Sequence, residues 1–160
     1  MLRRWAAAIQ RNHALEHATV AVLLARHGPM RVAGRASVDG FLLFADLDSE
    51  EILDGAREAL QRLQAGQSDL AVSPLCGTNI AVAGMVAAAA ATAVFALGPA
   101  KGRIPNAFIA SMLGVMLSQP LGRAVQERVT TRPDLDRVEL VGARTVLGLL
   151  RKVTTSGAQS

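Results

Sequence analysis

Apolar and polar positions follow a helical period at the start of the chain, then a strand period, and lose any period in the middle. From Trp5 to Arg26 no Gly or Pro interrupts the run, and Gly28-Pro29 supplies a stop, so the spacing predicts a first helix. Ile9, His13, Glu16, His17, Val20 and Leu24 recur on one side of it, which sets a polar trio into an otherwise apolar stripe. Arg31 to Ala36 and Phe41 to Leu47 read as strands around Val38-Asp39-Gly40, since Asp-Gly between extended runs is a strong hairpin signal. Phe41 to Ala45 is apolar at every position, which predicts a strand covered on both sides. Asp48 or Ser49 caps a second helix, with Glu50 and Glu51 in its first turn; Ile52, Leu53, Ala56, Leu60 and Leu63 form its buried stripe and Gly66 ends it. Leu70 to Leu75 reads as a third strand. The expected fold class is α+β: a small helix-strand-strand-helix-strand unit.

The period then disappears. Ile80 to Leu97 carries no charge, and after a short loop holding Lys101 and Arg103 so does Ile104 to Gly122. Two adjacent runs of this length in so short a chain predict a transmembrane helical hairpin joined to the α+β unit, in preference to a buried hairpin of a soluble core. Small residues at every fourth place, Gly84, Ala88, Thr92 and Ala96 in one run and Ala110, Gly114, Ser118 and Gly122 in the other, predict the packing ridges. The lone loop cations oppose Arg123, Arg128, Arg132 and Arg137, so the positive-inside rule puts both termini in the cytoplasm. Beyond the runs, Arg132-Pro133-Asp134 is a turn, Arg137 to Val141 a strand able to add an edge to the sheet, and Thr145 to Val153 a strand or short helix. Residues 154 to 160 are expected to fray. The domain boundaries are then 1–77 for the α+β domain, 78–124 for the hairpin and 125–160 for a segment packing back on the first.

Composition narrows the partners. Hydrophobic residues make up 51% of the chain but aromatics only 3%, and a single Cys excludes both an intramolecular disulfide and a Cys-only zinc site. The net charge of +4 is spread along the chain with no basic strip interleaved with aromatics, so no nucleic acid is expected as a partner; a lipid bilayer is. Met1 to Ile9 imitates a signal peptide, but polar Gln10-Arg11-Asn12 ends the apolar run too early for cleavage.

The candidate chemistry lies in His13-Ala14-Leu15-Glu16-His17. Two histidines one turn apart on a helix can reach one metal ion, and Glu16 on a neighbouring part of that face can take a proton from a bound water. A His/Glu pair bonded to itself in the core is the structural alternative. His27, off this face, reads as a C-terminal cation favoured by the helix dipole. The other site is Leu75-Cys76-Gly77-Thr78-Asn79, where Thr78 or Asn79 can cap the following helix. Cys76 at a helix N-terminus has its pKa lowered toward thiolate, which suits metal ligation, while a small buried residue at a junction is the alternative. Cys76 is the first candidate for a third metal ligand and Glu127 the second. Glu50, Glu51, Asp54 and Glu58 read as a solvated helix face.

Arg11 to Val20 followed by Ser73 to Asn79 and a hydrophobic hairpin resembles an uncharacterised family of bacterial two-span membrane proteins. The resemblance implies a bacterial inner-membrane location and a pairing of the His/Glu helix with the Cys-Gly-Thr-Asn turn; it supplies no reaction. His13, Glu16 and His17 alone are similar in spacing to the inverzincin zinc peptidases, without the downstream helix that supplies their acidic ligand. The function expected is a membrane-associated zinc-dependent hydrolase, metallopeptidase-like, acting on a peptide or membrane-protein substrate. Zn²⁺ would be held by His13, His17 and Cys76, with Glu16 as the catalytic base. The alternative is a membrane-anchored structural or assembly protein with a structural metal site or a polar core network.

Overall fold

The computed structural model describes residues 1–158. It contains α1 (Leu2–His27), β1 (Val32–Ser37), β2 (Gly40–Ala45), α2 (Ser49–Gln64), a 3₁₀ turn (Ser68–Ala71), α3 (Gly77–Leu97), α4 (Arg103–Val125), a π turn (Gln126–Thr130), β3 (Glu139–Leu147) and β4 (Leu150–Ser156). Two compact units result, Met1–Ser73 with Glu127–Ser160, and Pro74–Gln126. The second unit is inserted into the sequence of the first.

In the discontinuous unit the four strands form an antiparallel sheet in the order β1-β2-β4-β3. Phe41, Leu43 and Ala45 of β2 and Val153 of β4 alternate onto one face and join Leu15, Leu23, Ile52, Ala56 and Leu60 of α1 and α2 in the core. Gly55 lets the helices close up, since a Cβ there would lie 2.7 Å from Leu23 Cδ2. A capping box starts α2: Asp48 accepts from the Glu50 and Glu51 amides, and Glu51 reaches back to the Asp48 amide. Asn12, fully buried, donates to the Ser37 and Val38 carbonyls and accepts from Thr155 Oγ1, so one α1 side chain ties the first hairpin to the last strand.

Several expectations are corrected. Within this unit α1 and α2 pack on the face of β2 that carries Phe41 and Leu43, while Phe44 on the other face is 45% exposed, so β2 is not covered on both sides. The first hairpin turns on Val38-Asp39 alone, because Ser37 and Gly40 are already a cross-strand pair. Leu70 to Leu75 is no strand. Its start is the 3₁₀ turn, and Pro74 has no N–H to give a ladder. Thr145 to Val153 is not one element but the turn of a hairpin, with Gly148 at φ +51° inside an apolar run that conceals it. The strand anticipated at Arg137 to Val141 is the start of β3 and does form a sheet edge, through β4. Thr154 to Ser156 are laddered in β4 and Ala158 is buried, so this stretch is not frayed; Gln159 and Ser160 lie outside the described residues. On α1, Ile9 is 40% exposed and does not share the burial of Glu16 and His17.

In the inserted unit, α3 and α4 are both long and apolar enough to cross a membrane, with mean hydropathy 2.3 for Gly77–Leu97 and 1.3 for Arg103–Thr130. Only 6% and 17% of these windows is buried, unlike the core helices of a soluble domain. They pack antiparallel: Gly114 sits against Val86 and Ala90, Gly122 against Asn79, and Ser111 Oγ donates to the Ala87 carbonyl. The α4 ridge of Gly114, Ser118 and Gly122 is buried as its spacing suggests. The α3 ridge is not the contact face. Gly84, Ala88, Thr92 and Ala96 are exposed, and α3 meets α4 through Asn79, Val82, Val86 and Ala90.

Lys152, almost fully buried, donates to Asp39 Oδ1 and Ser37 Oγ, both at 2.7 Å. These bonds hold the Asp39 carboxyl below its ordinary 3.8, the lysine first and the serine second. An acid with a depressed folded pKa adds stability above its unfolded value and loses it as pH falls through the folded one. The melting-temperature advantage of the wild type over Asp39→Asn should therefore be full at neutral pH and shrink below pH 3.8. An advantage unchanged by acid in thermal melts would show that this ion pair does not stabilise the hairpin.

Candidate metal centre

Four consecutive side chains of α1 are directed at distant backbone. Gln10 Nε2 donates to the Val129 carbonyl at 2.6 Å. Arg11 donates to the carbonyls of Asp134 and Ala158 and pairs with the Asp134 carboxylate. Asn12 holds the first hairpin as described. His13 Nδ1 lies 3.0 Å from the Thr130 carbonyl, and one turn on, His17 Nδ1 lies 2.8 Å from that of Ala71. A carbonyl only accepts, so in both rings Nδ1 carries the proton and the neutral imidazole has its lone pair on Nε2. Backbone carbonyls of this kind commonly orient metal-binding histidines. The two ring centroids are 4.3 Å apart.

Glu16 is buried on the same helix, with Oε2 4.0 Å from His13 Nε2. Its carboxylate lies over Gly34 of β1, and a Cβ at that position would collide with Oε1 and Cδ. Gly34 thus belongs to the site although the motif says nothing of it. A glycine inside a strand run was the available signal, because such glycines mark close approaches.

Cys76 is the N-cap of α3, with Sγ accepting from the Thr78 amide at 3.4 Å, so neither Thr78 nor Asn79 is the cap. Asn79 instead fastens the base of the hairpin: its Nδ2 donates to the Pro74 carbonyl and its Oδ1 accepts from Gln126 Nε2. The chain reaches Cys76 five residues after Ala71, the partner of His17. The ligand atoms of His13, His17 and Cys76 all lie within 4.8 Å of one another, close enough to hold a metal ion. Glu127, the other candidate for third ligand, is exposed in the π turn and is not in this group. His27 is exposed at the end of α1. Of the four acidic residues of α2, Glu51 is in the capping box, Asp54 pairs with Arg57, Glu58 pairs with Arg26 and Arg62, and Glu50 is exposed.

These parts define a mixed helix-and-sheet protein with a His/His/Cys cluster and two helices able to cross a membrane. The chain belongs to the family defined by the domain of unknown function DUF6391, whose model matches residues 8–143. An uncharacterised protein of Picosynechococcus sp. (strain PCC 7002) is 30% identical over 140 residues, which is 77% of this chain and 65% of that protein. The chain thus spans just under two thirds of its relative. No solved structure matches.

Because the Gly34 backbone faces the Glu16 carboxylate, Gly34→Ala should lower stability by about 1–3 kcal/mol, the usual cost of overpacking. Adding Glu16→Ala should remove most of that penalty, since the clash needs both groups. Equal penalties with and without Glu16, measured by denaturation of the detergent-purified protein, would place the strain elsewhere.

Proposed function

We propose that the protein is a membrane-associated, zinc-dependent hydrolase of metallopeptidase type, with His13, His17 and Cys76 as ligands and Glu16 as general base. The observation that carries this reading is the donor set, two imidazoles and one thiol within 4.8 Å, with a carboxylate beside them on the same helix. Imidazole nitrogen and thiolate sulfur are zinc's preferred ligands, and three of them leave the fourth tetrahedral position for water or substrate. Bound zinc would polarise a carbonyl and acidify a water. The chain's own part is to hold and move a proton. Ala71 and Thr130 fix the histidine tautomers, and Gly34 gives room for the Glu16 carboxylate, which would take the proton from the attacking water and return it to the leaving group.

A structural metal is the second reading, and one observation favours it. The same two histidines already bind backbone on either side of the inserted hairpin, so a metal there would staple distant segments of the chain.

In either case α3 and α4 would cross the bacterial inner membrane twice. Their apolar residues face outward, with Ile80, Ile104 and Leu117 each more than 70% exposed. Arg123 in the last turn of α4 and Arg128, Arg132 and Arg137 beyond it, against Lys101 and Arg103 at its start, would keep both termini in the cytoplasm. The protein should stay with membranes through carbonate extraction, and reporter fusions at either end should both read cytoplasmic. Monodisperse protein in buffer without detergent would end the membrane reading.

Purified protein should carry about one zinc per chain, lost in His13→Ala and His17→Ala. Glu16→Gln is nearly isosteric and should keep the metal while lowering turnover of casein or membrane-derived peptides by roughly 10²–10⁴-fold. Loss of zinc in Glu16→Gln, with no cleavage by the wild type, would leave the structural metal standing. Zinc retained in both histidine variants would overturn both readings.

A further inference from the structure

The first two turns of α1 form a helical stripe that nothing in their own unit covers. Leu2, Trp5 and Ile9 lie at spacings of three and four, hence on one face, and are 81%, 46% and 40% exposed. Arg3 and Arg4 flank the stripe, the first turn contains no acidic residue, and the first acid in the chain is Glu16. Cations at a helix N-terminus oppose the macrodipole, so this charge pattern does not serve the helix itself. Val129, 58% exposed, adds a further apolar side chain, with Arg128 next to it. On the strap, Asp134 is already paired with Arg11 and Arg132, and Glu127, the other acid there, is exposed beside Arg128.

Two bonds tie Gln10, next after Ile9, to the segment that follows α4 in the sequence. Gln10 donates to the Val129 carbonyl, and the Arg132 amide donates to the Gln10 carbonyl. Val129 follows the last residue of α4 by only four positions, a reach of at most about 14 Å. If α4 ends at the bilayer boundary, Val129 is held within that reach of it. Trp5 is then about 7.5 Å of helix rise from Gln10.

We propose that Leu2 to Ile9 is an interfacial anchor that lays Leu2, Trp5 and Ile9 into the headgroup boundary of an anionic bilayer, with Arg3 and Arg4 on the lipid phosphates. The inference rests on the membrane reading above. Tryptophan at the interface with basic residues beside it is the chemistry of such anchors, and anionic lipid is the occupant that the charges select.

Trp5 is the sole tryptophan, so the unmodified full chain carries its own probe. The protein is reconstituted into vesicles of phosphatidylcholine with or without phosphatidylglycerol, each containing brominated lipid. A Trp5→Phe/Phe95→Trp variant reports separately on α3. Trp5 emission should be blue-shifted and quenched in the anionic vesicles and less so in the zwitterionic ones. Arg3→Gln with Arg4→Gln should lower the docked-to-undocked ratio about fivefold per arginine removed, following the ~1 kcal/mol attraction of each basic residue to an anionic surface. Unquenched Trp5 beside quenched Phe95→Trp overturns the anchor alone. Neither quenched overturns the spanning helices as well. Equal quenching of Trp5 in both lipid mixtures overturns anionic lipid as the occupant.

Discussion

The structure depends on four side chains of one helix turn that capture backbone from the first hairpin and from the far end of the chain. Gln10, Arg11, Asn12 and His13 bond to carbonyls at Val129, Asp134, Ala158, Ser37, Val38 and Thr130. Asn12 is fully buried, and a buried polar group left without partners costs roughly 1–3 kcal/mol, so its bonds are obligatory. Around that requirement the rest follows. The strap from Glu127 to Leu135 must lie along α1, the last strand must come back to β2, and the first hairpin must present its turn carbonyls to the helix.

The same clamp orders the candidate metal centre. His13 is the last residue of the clamping turn and the first of the candidate metal pair, so its ring is fixed by the bond that fastens the strap. His17 does the same for the segment before the hairpin, and Glu16 between them is pressed on β1 at Gly34, which has no side chain. Architecture and chemistry therefore share residues. Substitutions at His13 or His17 remove a tether along with a candidate nitrogen ligand, whereas Glu16→Gln leaves both tethers in place.

Much of this was readable in the residues. The helical span of α1, the capping box of α2, the Asp-Gly hairpin and the two apolar helices each have a local cause, and local causes leave marks in sequence. His13, Glu16, His17 and Cys76 stood out because their types and spacings are uncommon. The misses have physical causes of their own. Backbone carbonyls are the same at every residue, so no pattern could say that Gln10 meets Val129 or that His17 meets Ala71. Gly34 takes its meaning from Glu16 across space. The turn at Gly148 was hidden because apolar residues flank it on both sides, and the α3 ridge was misassigned because an alanine-rich helix offers small residues on every face.

The insertion of the hairpin between Ser73 and Glu127 also sets an order in time. β2 emerges from the ribosome long before β4, its central partner, and the membrane-compatible helices are made in between. Until residues 150 to 156 arrive, Phe41, Leu43 and Ala45 have only β1 and the helices for company, and the inner edge of β2 stands open. Such an edge invites pairing with the wrong strand. On the proposed membrane reading, the hairpin would reach lipid within that interval, before β4 exists to close the sheet.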